Sequence, residues 1–377
     1  MSTNTAEAVE ATRGGAHLER TYSRDVDDFP EPNSRHELWR FSALPKLRHL
    51  FSAPVADGRV ELSSNDDTAV STVGMDDKRV GSVFTPFDRI GAIAMQQATS
   101  ATIVTVNEPR DEPIYLTAKG SGGTAYGHLL IDVAPFATAT VIIDHVGAAT
   151  YAANAEYRIG DGASLTVITV QDWDDGAIHV EAQTAQVGRD AKFRHVCVNL
   201  GGDAVRISPT IKYAGPGGDA ELLGLAFVDA GQHVDARIRV DHEQPHCRSR
   251  VTYKTALQGK DARSVWTGDV FIHHEAVDTD THELNRNLLL TDGARADSVP
   301  NLEIETGEVR HAGHASATGR FDDEQLFYLQ SRGIPADVAK RMVVRAFFGE
   351  LIDTIGVPAL EDRLRAAIEQ ELEHTLI

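Results

Sequence analysis

Histidine and cysteine residues that could bind a metal gather in three stretches of the second half of the chain. "DHEQPHCRS" holds His242 and Cys247, "DVFIHHEAVDTDTHEL" contains His273, and "EVRHAGHAS" ends with His314. Imidazole and thiolate are the ligands of many zinc and iron sites. Neighbouring residues of a strand point to opposite faces, so no stretch predicts a complete site by itself. His242, Cys247 and His273 are therefore weak metal-ligand candidates, and His311 and His314 are not expected to share an ion.

The cysteine count limits what the chain can hold. Cys197 and Cys247 are its two cysteines, and their spacing matches neither a disulfide framework nor a Cys-x-x-Cys pair. We expect both to be reduced and buried. An iron-sulfur cluster takes four protein ligands, mostly thiolates. Two cysteines therefore do not predict such a cluster bound by this chain alone.

Other catalytic motifs are incomplete. "KGSGGTAYG" lacks the Gly-Lys-Ser/Thr ending of a phosphate-binding loop, and no Gly-x-Ser-x-Gly elbow occurs. "QDWDDGA" sets Asp172, Asp174 and Asp175 around Trp173. Paired carboxylates of this kind serve glycoside hydrolysis, so a carbohydrate-active enzyme stays open as an alternative to an exposed turn.

Composition narrows the class of partner. The chain of 377 residues has 36 basic and 56 acidic residues, a formal charge of −20, which argues against nucleic acid or an anionic membrane as a partner. It has no long apolar run, and "MSTNTAEAVEATRGG" lacks the pattern of a secretory signal. These features predict a cytoplasmic protein.

The first third of the chain predicts a mobile leader followed by short helices. Residues 1–32 lack apolar periodicity. We expect order to begin at Ser34, as the cap of a short helix that ends before Pro45. A second helix is predicted from Pro86 to Gln97.

From Ala101 the pattern changes to short strands that follow Gly-Asp turns. Examples are "ATIVTV", "ATVIIDHV", "SLTVITVQ" and "KFRHVCVNL". An alanine follows each turn in a loose repeat: Ala163, Ala191, Ala220, Ala262 and Ala294. Turn-plus-strand units without intervening helices favour a β-solenoid over a β-sandwich or jelly roll. Helices at both ends of the chain are expected to cover the terminal coils.

The last sixty residues predict helices with an unusual apolar distribution. From Val338 to Ile355 the apolar side chains reach nearly every direction around the helix axis. The helix is either enclosed by its own chain or binds a partner. The predicted regions are 1–98, a leader and N-terminal helical region; 99–318, a mainly β core; and 319–377, a C-terminal helical region.

Three motifs carry a resemblance to a known family. "DDEQLFYLQSRGIPADVAKRMVVRAFFGELID", "NRNLLLTDGARADSVPNLEIETGEVRHAGHASATG" and "HELWRFSALPKL" resemble segments of the SufB/SufD family, in the same order. The resemblance covers the chain from about Ser34 onward. It implies a right-handed parallel β-helix between helical regions. It also implies a non-enzymatic scaffold subunit of the SUF iron-sulfur cluster assembly complex.

The resemblance also implies partners and positions. The modest length and the His314-Ala315 pair favour the SufD-like branch, which pairs with a SufB-like chain and docks a SufC-like ATPase. His314 matches the family histidine at the partner junction, and a cluster is expected only transiently there, with no cofactor held stably by this chain alone. A homodimer is another pairing, and a SufB-like chain holding a cluster through Cys197 or Cys247 is an alternative identity. ATPase docking is expected at six residues of the apolar helix: Arg345, Ala346, Phe347, Phe348, Leu351 and Ile352.

Overall fold

The structure is a computed structural model that describes residues 20–320 and 323–375. The α-helices are α1 Leu44–Leu47, α2 Arg89–Gln97, α3 Asp323–Ser331, α4 Ala336–Ile352 and α5 Pro358–Thr375. The strands are β1 Val60–Ser64, β2 Val70–Gly74, β3 Ser100–Val106, β4 Ile114–Val133, β5 Thr138–Ile159, β6 Ser164–Trp173, β7 Ile178–Val187, β8 Lys192–Asn199, β9 Ala204–Tyr213, β10 Asp219–Val228, β11 His233–His242, β12 Arg248–Leu257, β13 Arg263–Ile272, β14 Thr279–Leu289, β15 Arg295–Ile304 and β16 Val309–Arg320.

The strands from β3 onward wind into a parallel β-solenoid of about 8 turns, as the sequence predicts. Sheet 1 contains the first halves of β4 and β5 and then the even-numbered strands from β6 to β16. Sheet 2 contains the second halves of β4 and β5 and the odd-numbered strands from β7 to β15, with β3 at its start. Gly122 and Gly147 have φ of +87° and +78° where β4 and β5 pass from one sheet to the other.

The interior between the two sheets is divided into an apolar and a polar part. Side chains such as Val141, Leu165 and Tyr157 form the main apolar cluster. Further along the same inward faces lie buried polar groups, including Gln171, His195 and Asn199. Polar groups in an interior need partners, so this second part is the place to look for chemistry.

The alanine repeat is real, but its members belong to different sheets. Ala163 and Ala191 precede equivalent residues of sheet 1, since Ser164 pairs with Lys192. Ala262 and Ala294 precede equivalent residues of sheet 2, since Arg263 pairs with Arg295. The period loosens because the alanine motif changes sheet along the chain.

The N-terminal region differs from its prediction. A mobile leader is expected over residues 1–32. Residues 1–19 lie outside the described residues, but residues 20–32 are described and make contacts with the solenoid. Arg20 donates to Thr210 Oγ1 at 2.9 Å, and Phe29 is buried. Ser34 caps no helix: a 3-10 turn spans Glu37–Trp39, and Pro45 lies in the first turn of α1 instead of following a helix. The helix expected from Pro86 begins at Arg89, where the Asp88 carboxylate accepts from the Gly91 amide.

Helices cover the outer faces of the solenoid, whereas the sequence predicted that they cover its ends. Helices α4 and α5 pack on sheet 1 against Val196, Val198 and Leu225. The N-terminal segments and α2 pack on sheet 2. The first coil is instead closed by β1 and β2, which pair antiparallel with β4 and β3. The strands of sheets 1 and 2 carry apolar side chains on both faces, so the outer face of each sheet requires a cover.

Candidate functional site

The last coil of the solenoid is open in the described part of the chain. β15 pairs with β13 and β16 pairs with β14, and these two strands end the order of the sheets. Each therefore has a row of backbone groups without a neighbouring strand. Ile304, at the end of β15, is 43% exposed. Among the described strands, β15 and β16, with 10 and 12 residues, are the two longest that have a neighbouring strand on one side only.

His314 lies on the open strand β16 and is exposed. The register places it beside Glu283, on the inward face of sheet 1, whereas His311 pairs with Asp280 on the outward face. The expectation that the two histidines point to opposite faces is therefore confirmed. His311 packs near His282, with ring centroids 5.7 Å apart. Of the two histidines, His314 is thus the one on the inward face at the open end of the solenoid.

Glu283, next to His314 in the register, is a buried acid. Neither of its carboxyl oxygens has a hydrogen-bond partner, and burial raises its pKa to about 8, with a smaller contribution from the Asp269 charge. The carboxyl is therefore mostly protonated at neutral pH. Hydrogen bonds tie the neighbouring polar groups together: Ser298 Oγ donates to Asn285 Oδ1 at 2.7 Å, and Asn287 Nδ2 donates to Thr318 Oγ1 at 3.1 Å.

The weak metal candidates His242, Cys247 and His273 do not form a metal group in the described residues. His242 is bound to Ser249 Oγ at 2.9 Å, and burial lowers its pKa to about 3. Burial raises the pKa of the Cys247 thiol to about 11. His273 stands at the rim, 3.8 Å from Glu305. His242 ends β11, Cys247 precedes β12 and His273 follows β13, and each has a different contact.

The alternative identities find little support in the geometry. Burial raises the pKa of the Cys197 thiol to about 11, so this thiol is protonated at neutral pH in the metal-free chain. Asp172, Asp174 and Asp175 are exposed around the turn after β6, but Trp173 points into the interior. A tryptophan buried there offers no stacking surface for a sugar beside the three acids.

The apolar helix is α4, and half of the expected docking residues are internal. Phe348, Leu351 and Ile352 are at most 4% exposed and pack on sheet 1 and α5. Their assignment to a partner surface is corrected, because the apolar outer face of sheet 1 takes up this side of the helix. Phe347 is half-buried over Lys254, whose ammonium lies 5.5 Å from the ring centroid. Arg345 and Ala346 remain exposed, with Arg345 paired to Glu369.

The opposite side of this helical region carries an exposed apolar surface. Phe327, Tyr328 and Met342 are 71%, 57% and 42% exposed. A groove of 320 Å³ between α4 and α5 is lined by Arg345 and Gly349, with Phe348 and Ile352 also lining it. Exposed large apolar side chains grouped on one region indicate an interaction surface. We call Phe327, Tyr328, Met342, Arg345 and Ala346 the helical surface.

A family model described as "SUF system FeS cluster assembly, SufBD core domain" matches residues 115–347. The chain belongs to the SufBD family. A SufBD family iron-sulfur cluster assembly protein of Mycobacterium tuberculosis is 51% identical over 97% of this chain and 96% of its own length. Escherichia coli SufD is 26% identical over 90% of this chain and 89% of its own length. Bacillus subtilis SufD is 27% identical over 66% of this chain and 58% of its own.

Family membership agrees with the resemblance read from the three motifs and assigns the chain to iron-sulfur cluster assembly. No helix among the described residues has both the length and the apolar character needed to span a membrane. The sequence analysis missed one group that the SufBD fold brings together, His145, His179 and Glu181. The sequence signal that could have indicated this group is the presence of polar residues at inward positions of strands that are otherwise apolar.

Proposed function

We propose that this SufBD protein is a SufD-like, non-catalytic scaffold subunit that pairs with a homologous SufB-like chain. The single observation that carries the proposal is the open last coil. A second solenoid with a similar open end can continue both sheets across the junction, since β15 and β16 offer unpaired backbone groups side by side. The named SufD relatives support the choice of branch.

His314 is the residue we assign to the junction itself. It stands at the mouth of the solenoid on the strand that a partner would meet. With two buried thiols in the chain, the remaining ligands of a cluster must come from the partner. The cluster is then the cargo of the paired complex, formed transiently where the two chains meet.

The helical surface is the site we assign to an ATPase of the SufC type. Its exposed aromatic and methionine side chains suit a protein partner, because such residues are enriched at interfaces. Phe348, Leu351 and Ile352 pack α4 on sheet 1 and α5, and we do not assign them to the partner contact. ATP turnover in the docked subunit would move α4 relative to sheet 1 and so act on the junction. A cytoplasmic location stays a prediction.

Co-purification with a SufB-like chain tests the pairing. Ile304→Lys places a charge at the open end and is expected to lower the recovery of the partner at least about tenfold, because a charge on an edge strand opposes strand pairing. Val55→Lys is the matched control, since Val55 is an exposed apolar residue far along the chain from β15. It should leave recovery unchanged.

Three outcomes decide the proposal. Equal recovery with both variants would contradict pairing through the open end. A stable homodimer that excludes the SufB-like chain would replace the heterodimer with a pair of identical chains. In the paired complex, His314→Ala is expected to keep the partner but to lose iron and sulfide after reconstitution, whereas His311→Ala retains them. Loss with both variants would remove His314 from its assigned role.

A further inference from the structure

A second candidate site lies inside the solenoid, away from the open end and the helical surface. His145 on β5 and His179 and Glu181 on β7 each offer one ligand atom, and these atoms lie within 4.8 Å of one another. Exposure is 4%, 0% and 5%. Titratable groups buried this deeply need partners, and the hydrogen bonds around them show which atoms lack one.

The tautomer of His179 follows from its neighbours. The indole N–H of Trp173 can only donate, and it lies 3.0 Å from Gln171 Oε1, so the amide oxygen is the atom that faces both rings. His179 Nδ1 is 2.8 Å from the same oxygen and must therefore donate to it. The indole also lies 3.3 Å from Nδ1, but the two shorter contacts converge on the oxygen.

This arrangement leaves the Nε2 lone pair of His179 facing a carboxylate. Nε2 lies 3.3 Å from Glu181 Oε2 and has no hydrogen-bond partner. Two acceptors at this distance repel unless a positive charge lies between them, either a proton on the imidazole or a metal ion. The other Glu181 oxygen accepts from Gln183 Nε2 at 3.2 Å, which holds the carboxylate in place.

His145 favours the metal ion over the proton. One of its nitrogens hydrogen-bonds the Val170 backbone, whereas Nδ1 has no partner. Its ring centroid lies 4.9 Å from that of His179. A proton between His179 and Glu181 would leave Nδ1 of His145 unsatisfied. A metal ion uses all three groups at once.

We propose that His145, His179 and Glu181 bind one divalent first-row transition-metal ion inside the solenoid. Two imidazole nitrogens and one carboxylate suit Fe²⁺ or Zn²⁺ and leave further coordination positions open. Gln171, Gln183 and the Val170 backbone orient the three ligands, as outer partners do in metal sites. The site does not depend on pairing or on ATPase docking.

Tyr151 separates this site from the surface. Its ring stacks on His179 with centroids 5.1 Å apart, and it also lines a surface cavity of 480 Å³ beside β1. A metal ion is therefore expected to enter past the Tyr151 ring. Release to a chelator should be slow, because the ring must move each time an ion passes.

Cobalt binding to the full-length, metal-free chain tests the proposal. Co²⁺ serves as the probe because its visible absorption reports nitrogen and oxygen ligands. We expect one ion per chain, and competition with Zn²⁺ or Fe²⁺ for the same site. His145→Gln and Glu181→Gln should weaken binding at least about 100-fold, since loss of a ligand costs more than loss of an outer partner. His195→Gln should bind as the unaltered chain does.

His195 is the matched control because it is a fully buried histidine of the same interior, with neither ring nitrogen hydrogen-bonded, outside the group of three. A second readout needs no substitution. In the Co²⁺-loaded chain, proton NMR should show two strongly shifted ring N–H signals, one each from His145 and His179. No uptake by the unaltered chain, equal uptake by His145→Gln, or absence of both signals would overturn the proposal.

Discussion

At the scale of single residues, burial decides which groups of this SufBD protein are reactive. Cys197 and Cys247 are thiols whose pKa values burial raises to about 11, so both are protonated at neutral pH in the metal-free chain. Glu283 is a carboxyl that burial keeps protonated beside His314. The site at the open end therefore has one exposed imidazole above a neutral acid.

The raised pKa of Glu283 predicts a pH dependence of folding. Below about pH 4.5 the carboxyl is protonated in both states, and its contribution to stability is fully present. As the pH rises towards about 8, the unfolded chain loses the proton that the folded chain retains. The free energy of unfolding should therefore fall by a few kcal/mol across this window and level off above it.

Urea unfolding at pH 5 and pH 8 measures this effect in the isolated chain. Glu283→Gln cannot ionise and is expected to lose less stability between the two pH values than the unaltered chain does. Glu275→Gln is the control, because Glu275 is exposed in the turn before β14. An identical pH response in Glu283→Gln and the unaltered chain would show that the acid is not held protonated.

At the scale of elements, α4 has one buried side and one exposed side. One side, with Val344, Phe348 and Ile352, completes the outer cover of sheet 1. Lys254 of β12 donates to the Phe347 carbonyl at 2.9 Å and to Glu350 at 2.7 Å, which ties the helix to the sheet. The other side continues into the exposed residues of α3. The buried side is apolar because it packs on sheet 1 and α5, and the exposed side is the one we assign to a partner.

Substitutions on the two sides of the helical region should separate folding from docking. Phe327→Asp and Met342→Asp are expected to reduce capture of a SufC-like ATPase at least about tenfold with the fold intact, since both side chains are exposed. Phe348→Ala should instead cost about 3–5 kcal/mol of stability, because it empties a buried position. Pull-down assays and denaturant unfolding measure the two effects.

Phe136→Asp is the control for docking. Phe136 is 76% exposed in the turn before β5 and has φ of +65°, a conformation that aspartate tolerates. It lies on the solenoid and not on the helical region. If Phe136→Asp reduced capture as much as Phe327→Asp, the ATPase would bind elsewhere and the assignment of the helical surface would be wrong.

At the scale of the whole molecule, the two ends of the solenoid are unequal. The first coil ends in the short antiparallel strands β1 and β2, of five residues each, whereas the last coil ends in β15 and β16, of 10 and 12 residues, each with one neighbouring strand in the described residues. Helices cover both outer faces. The open end is therefore the direction in which the SufBD fold can extend, and the formal charge of −20 opposes nonspecific association.

Hydrogen exchange on the isolated chain and on the paired complex should reveal this asymmetry. Backbone amides of β15 and β16 are expected to exchange faster than those of the central strands when the chain is alone, because one side of each edge strand is unpaired. Pairing should slow their exchange and leave β1 and β2 unchanged. New protection confined to β1 and β2 would place the partner at the closed end instead.

The solenoid, the helical regions near each terminus and the family could all be predicted from the amino-acid sequence. Turn residues and short Val, Ile and Thr runs are local signals, and "FYLQSRGI" is a local motif, so each can be read without knowing its neighbours. The opposite faces of His311 and His314 follow in the same way from the period of a strand. The expected leader was wrong over residues 20–32, because the contacts that order them come from distant strands.

The surface that each helix covers and the polar residues that meet in the interior depend on long-range contacts, which the folded chain alone reveals. Residues as distant as Val196 and Phe348 become neighbours, and this contact turned a supposed docking side chain into core. His145 and His179 are separated by more than one strand in sequence and converge only because β5 bends at Gly147 between the two sheets. The local sequence pattern of a solenoid is similar in every coil. The strand register and the bends between the sheets determine which residues meet in a site, and no local pattern specifies them.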